Sequence, residues 1–132
     1  MAIFRGAVAP VLAATIWISV SEFFRNEFWL KEFWAGHYAK LGLEFPSAPV
    51  NGMIWGLWAL LFAIAIRTIL MRFDLVSGAL LAWLVGFVLM WVVTFNLGVL
   101  PLEIIPYAIP LSLLEAFVAA WLITRLTPGK TG

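Results

Sequence analysis

The chain has 132 residues, of which 64% are hydrophobic and only 11% are charged. A water-soluble domain normally carries about 25% charged residues, so these side chains cannot cover a globule in water, and the solvent must largely be lipid. The formal net charge of +1 gives no electrostatic reason to expect nucleic acid as a partner. The lack of cysteine removes disulfides, thiolate metal sites and thiol catalysis.

Charge-poor runs follow one another along the chain, and each is long enough for a helix that crosses about 30 Å of hydrocarbon. They predict transmembrane helices over approximately residues 3–24, 52–70, 75–95 and 108–126. The predicted fold class is all-α: a bundle of these transmembrane helices that forms one domain over residues 1–132. We therefore expect a multi-pass protein of the cell (inner) membrane.

The segment from about residue 25 to residue 50 mixes charges with aromatic rings. Trp and Tyr favour the headgroup zone of a bilayer, which predicts an interfacial segment between the first two transmembrane helices. Its charges spread around a helical wheel, so a simple amphipathic helix is not expected. Several of these side chains should contact protein, from the set Arg25, Glu27, Lys31, Glu32 and His37. At the end of the segment, Asn51 is the predicted N-cap of the second transmembrane helix.

The distribution of Lys and Arg predicts the orientation in the membrane. One side would carry Arg5, Arg67, Arg72, Arg125 and Lys130, and the other side would carry Arg25, Lys31 and Lys40. Cytoplasmic loops are enriched in Lys and Arg, so both termini are expected in the cytoplasm and the aromatic segment outside.

Small residues recur at a spacing of four, which lets helix backbones approach closely in lipid. The predicted helix-packing residues are Gly52 and Gly56, then Gly78, Ala82 and Gly86, and finally Ala108, Ser112, Ala116 and Ala120. In one interpretation all of them pack inside a compact bundle. In the other, one series remains free for another subunit. The expected partners are therefore membrane lipid and either other membrane subunits or a second copy of the chain.

Glu115 lies near the middle of the fourth predicted helix, ten residues before Arg125. A charged carboxylate at the centre of a bilayer costs on the order of 3 kcal/mol, so it needs a partner or a proton. One interpretation is a proton-binding or cation-binding site. The other is a protonated side chain that donates one hydrogen bond to Thr15, Ser19 or a backbone carbonyl.

An interfacial polar cluster is predicted where the first helix leaves the membrane. It comprises Glu22, Arg25, Asn26, Glu27, Lys31, His37 and Tyr38. The first five residues predict either a site for a cation or a lipid headgroup, or a salt-bridge network that anchors the helix. His37, followed by Tyr38, is either a general base or single axial ligand, or a solvated histidine.

The sequence contains no phosphate loop, catalytic triad, paired-carboxylate hydrolase motif or zinc motif. We therefore expect no cofactor and no metal, and an enzyme is not favoured. The leading hypothesis is a non-catalytic membrane subunit or homo-oligomer that acts through protein and lipid contacts. The alternative is a small proton-coupled or cation-coupled transporter or channel that uses Glu115.

The pattern of Glu22, Asn26-Glu27, Lys31, Trp34 and His37-Tyr38 resembles small bacterial four-helix membrane proteins classed as domains of unknown function. The resemblance covers roughly the first seventy residues and implies a membrane bundle without implying an activity. Small multidrug-resistance transporters invite comparison through their single intramembrane Glu. They differ in carrying that carboxylate in the first helix and in lacking a long external segment.

Overall fold

The computed structural model describes residues 2–129, with side chains from residue 6 onward. The side chain of Arg5 and the whole of Lys130, which both enter the predicted orientation, lie outside that range. All regular secondary structure of the described chain is helical, with no strand between residues 2 and 129.

The four predicted helices occur in the predicted order, with two π-helical segments inserted and a further short helix in the segment predicted as interfacial. Helix α1 covers Ala2–Phe23 and continues as the π-helical segment π1, Phe24–Trp29. The next elements are α2 (Lys31–Lys40), α3 (Pro49–Leu70), α4 (Leu75–Trp83), the π-helical segment π2 (Leu84–Val88) and α5 (Leu89–Asn96). A short 3-10 turn (Leu102–Ile104) then leads into α6 (Ile105–Leu126).

Four helical stretches of the described chain are long and apolar enough to cross a membrane, which confirms the predicted number. They cover Gly6–Trp29, Pro49–Leu70, Leu75–Asn96 and Leu102–Leu126. The first of them packs against the second and the fourth, and the third packs against the same two. The second and fourth spans also contact each other, so the four spans pack as one bundle with the first and third on opposite sides of that contact.

The helix boundaries differ from the predicted ones where capping decides them. Helix α3 begins at Pro49, so Asn51 is not its N-cap. Ala48 occupies the cap position, and its backbone N–H donates to Asn51 Oδ1 at 3.0 Å. Proline suits the first turn because it has no N–H that would lack a partner there. The fourth span also begins earlier than predicted, because Pro106 is tolerated in the first turn of α6.

The small residues of the third span pack directly against α3. A Cβ added at Gly78 would lie 2.7 Å from Leu70 Cδ2, and one added at Gly86 would lie 2.6 Å from Phe62 Cε1. Carbon atoms normally approach no closer than about 3.5 Å, so a larger residue at either position would have to displace Leu70 or Phe62, both of which are buried. Ala82, between them, has no exposed surface.

The small residues of α6 also face the interior, where α6 contacts α1 and α4. Ala108, Ser112, Ala116 and Ala120 are all buried. The indole N–H of Trp83 donates to Ser112 Oγ at 2.8 Å, which joins α4 to α6.

Gly52 and Gly56 do not follow the prediction of close packing inside the bundle. Gly52 is exposed and Gly56 is partly exposed. A Cβ added at either position would meet no atom of the chain within 4 Å. This series therefore lies on the outer surface of the bundle.

Asp74 caps α4 and makes a pH-dependent contribution to the stability of the folded state. Its Oδ1 accepts a hydrogen bond from the backbone N–H of Ser77 at 2.7 Å, and that bond lowers the pKa of Asp74 below its ordinary value. A carboxyl group whose pKa is lower in the folded state stabilises that state fully above its unfolded pKa of about 3.9. The contribution is lost as the pH falls through the lower, folded pKa.

Replacing Asp74 with Asn should keep the cap and remove this part of the acid sensitivity, because Asn caps helices about as well as Asp. Asp74→Ala should lower the melting temperature at neutral pH. The measurement is the melting temperature from neutral to strongly acidic pH. Identical pH profiles for the wild type and Asp74→Asn would contradict the assignment.

Candidate functional site

Three charged side chains meet inside the bundle: Glu22 and Arg25 from the first span and Glu115 from α6. Arg25 Nη2 donates to Glu22 Oε1, and Arg25 Nη1 donates to Glu115 Oε1 at 3.4 Å. The exposed fraction is 5% for Glu22, 5% for Arg25 and 0% for Glu115. These residues, which we call the charge triad, connect the first and last spans through a single guanidinium.

The direction of the side chains explains how Arg25 reaches Glu115 from near the end of its span. Successive membrane crossings alternate in direction, so the first and fourth spans run antiparallel. Each Cα–Cβ bond in a helix tilts toward the N-terminus of that helix. The side chain of Arg25 therefore points back into the bundle, while that of Glu115 points toward Arg25. Trp17 lies on α1 at the level of Glu115, and its indole N–H donates to the Glu115 carbonyl at 2.9 Å.

Both π-helical segments lie at the guanidinium. Arg25 belongs to π1, and its carbonyl accepts the backbone N–H of Leu30, five residues later, at 2.8 Å. Phe87, a fully buried ring, belongs to π2, and Arg25 Cζ lies 5.1 Å from its centroid. A π-helical turn holds an extra residue and changes the direction of the side chains after it, and such turns are frequent at functional sites. Here the two turns bring a cation and an aromatic face together.

A chain of hydrogen bonds extends the triad toward α2. Asn26 Nδ2 donates to Glu22 Oε2 at 2.8 Å, and Trp34 Nε1 donates to Asn26 Oδ1 at 3.2 Å. Both oxygens of Glu22 therefore accept hydrogen bonds. The indole of Trp34 connects α2 to the end of the first span.

The predicted polar cluster is divided between the inside and the outside of the bundle. Glu22, Arg25 and Asn26 turn inward, whereas Lys31 Nζ lies 3.5 Å from Glu27 Oε2, with about half of the Lys31 side chain exposed. An exposed ion pair of this kind contributes little to stability. The inward group, in contrast, is held by contacts between distant parts of the chain.

His37, for which the sequence left two interpretations open, is tied to the bundle through one ring nitrogen and is partly exposed. Its Nε2 lies 2.8 Å from the carbonyl oxygen of Gly98, in the turn that follows α5. A carbonyl oxygen can only accept, so Nε2 carries the hydrogen. The neighbouring Tyr38 packs edge-on against Phe45, with ring centroids 5.3 Å apart. His37 therefore holds α2 to the turn after α5, and Tyr38 holds the following loop to α2.

The partner of Glu115 is Arg25 rather than Thr15, Ser19 or a backbone carbonyl. The hydroxyl of Thr15 donates to the carbonyl of Val11 in its own helix. The second carboxyl oxygen, Glu115 Oε2, is buried and has no hydrogen-bond partner among the described residues. An unpartnered polar atom in a low-dielectric interior costs about 1–3 kcal/mol, so this atom calls for an explanation.

Four apolar helices around a sealed ionic cluster indicate a multi-pass helical membrane protein. Comparisons with protein-family models, curated proteins and solved structures found no match to the chain. Its function is therefore inferred from its own geometry.

Proposed function

We propose that the protein is a non-catalytic, multi-pass subunit of the cell (inner) membrane that associates with a second copy of itself through α3. The observation that supports this proposal is the outward position of Gly52 and Gly56, where an added Cβ would meet no atom within 4 Å. The other predicted small-residue series, on the third span and on α6, pack inside the bundle.

The spacing Gly52-x-x-x-Gly56 within an apolar helix is typical of a close helix–helix contact in lipid. Lipid is as apolar as the helices, so association depends on dispersion and on close backbone approach. Large side chains flank the two glycines and are available to pack around a partner helix: Met53 is 75% exposed and Leu57 is 54% exposed.

The proposed orientation keeps both termini in the cytoplasm. Arg25 turns into the charge triad, so it no longer counts with Lys31 and Lys40 on the outer side. The exposed Arg72 and Arg125 lie at the opposite end of the bundle. The bias of Lys and Arg toward the cytoplasmic side is therefore larger than the sequence alone predicts.

Replacing both Gly52 and Gly56 with Ile should weaken self-association by at least about tenfold, or about 1.4 kcal/mol. The monomer should remain folded, because the structure leaves room for a side chain at both positions. Replacing both with Ala is the matched control and should retain association, because Ala is still small. Native mass spectrometry and cross-linking measure the oligomer, and tryptophan fluorescence monitors the fold. A wild-type protein that is strictly monomeric would contradict the proposal, as would full association of the Ile variant.

A second candidate is a small proton-coupled or cation-coupled transporter, and the unpartnered Oε2 of Glu115 favours it. Intramembrane carboxylates commonly belong to ion pathways. In proteoliposomes, Glu115→Gln should then abolish coupled uptake while the protein stays assembled. Normal transport by that variant would rule out the carboxylate mechanism.

A further inference from the structure

We propose that the charge triad is a one-proton site, with the proton held on Glu115 at neutral pH and Arg25 paired with ionised Glu22. This inference goes beyond self-association and depends on neither proposed function. It rests on the charge balance of the triad, on the distribution of its hydrogen bonds and on the space around it.

The charge balance leaves one negative charge in excess. Two ionised carboxylates and one guanidinium sum to −1 inside a bundle of apolar helices. No Lys, Arg, His, Asp or Glu occurs between Leu75 and Asn96, which form the third span. In α6 the nearest cation along the chain is Arg125, about 15 Å away at 1.5 Å rise per residue, and in α3 it is Arg67, near the same end of the bundle. An uncompensated buried charge is strongly destabilising, and one proton removes it.

The hydrogen bonds indicate which carboxyl group holds the proton. Glu22 accepts from Arg25 on one oxygen and from Asn26 on the other, as an ionised carboxylate requires. Among the described residues, the Glu115 carboxyl group accepts one contact, at 3.4 Å, which is long for a charge-assisted bond of about 2.7–2.9 Å. Its other oxygen has no partner among the described residues. A carboxylic acid needs fewer donors around it than a carboxylate, so the neutral form fits Glu115.

The space around the triad favours a proton over a metal ion or a hydrated cation. Glu115 has no exposed surface, and among the described residues no three His, Asp or Glu side chains converge as a metal site would require. Two surface clefts lie away from the triad, one beside Arg67 and the other, of about 180 Å³, beside Glu32 and His37. A proton is the one positive charge that needs no cavity.

Infrared spectroscopy of the purified protein in detergent at neutral pH tests the proposal. The wild type should show the C=O stretch of a protonated carboxylic acid, and the band should shift in D₂O. Glu115→Gln should remove this band. Glu22→Gln should remove it as well, because the triad then balances with Glu115 ionised. Glu103→Gln, which changes an exposed carboxylate, is the matched control and should retain the band.

Absence of the band in the wild type would overturn the proposal without the use of any variant. Persistence of the band in Glu115→Gln would assign the proton to another group and also overturn it. Persistence in Glu22→Gln would contradict the charge balance. None of these outcomes depends on whether the protein self-associates.

Discussion

Arg25→Gln should lower the free energy of unfolding by about 3–5 kcal/mol, the range found when one member of a buried ion pair is removed. The side chain of Arg25 is only 6% exposed, and it is the shared partner of Glu22 and Glu115. Its loss leaves two carboxyl groups facing each other without a counter-ion, and it also removes the cation from the ring of Phe87. Reversible unfolding in mixed micelles measures the change.

Two controls separate loss of the counter-ion from loss of an arginine in general. Arg72→Gln, at an exposed position, should change the free energy of unfolding by no more than about 0.5 kcal/mol. Adding Glu22→Gln and Glu115→Gln to Arg25→Gln should recover much of the lost stability, because a neutral cluster of similar volume leaves no buried charge without a partner. If Arg25→Gln unfolded like the wild type, the triad would not be a structural connection between the first and last spans.

The four apolar helices could be predicted from the sequence because lipid demands long runs without charge, and such runs are visible residue by residue. The packing of the small residues could be predicted only in part. Gly52 and Gly86 both stand in apolar helices at a spacing of four from another small residue, yet one faces outward and the other touches Phe62. Which face of each helix points inward depends on its neighbours, and the spacing carries no information about them.

The members of the charge triad were each identifiable as unusual residues, but their meeting was not. Glu115 and Arg25 are separated by 90 positions, and Arg25 lies near the end of its span. Their contact depends on the backward tilt of the side chains and on the altered helical phase in π1, a segment for which the sequence gives no signal. The hydrogen bond from His37 to Gly98 also depends on a turn whose position follows from the folded bundle.

Gly86→Val should lower the free energy of unfolding by about 1–3 kcal/mol through overpacking. Its Cβ would lie 2.6 Å from Phe62 Cε1, and Phe62 is itself only 6% exposed, so the ring has little room to move. Unfolding in mixed micelles measures the cost, and Gly36→Val, where a Cβ meets nothing within 4 Å, is the control for the substitution itself.

Replacing the opposing ring with a smaller side chain distinguishes a local clash at Gly86 from a general loss of helical structure. Phe62→Leu frees the space that the introduced valine side chain would enter, so the double variant should be more stable than the sum of the single changes predicts. Gly86 and Phe87 both belong to π2, so moving π2 should also displace the ring beneath Arg25. The carboxylic acid band of the triad should then shift in Gly86→Val and return in the double variant. If the effects of the two substitutions on the free energy of unfolding were strictly additive, the contact between Gly86 and Phe62 would not set the distance between α3 and the third span.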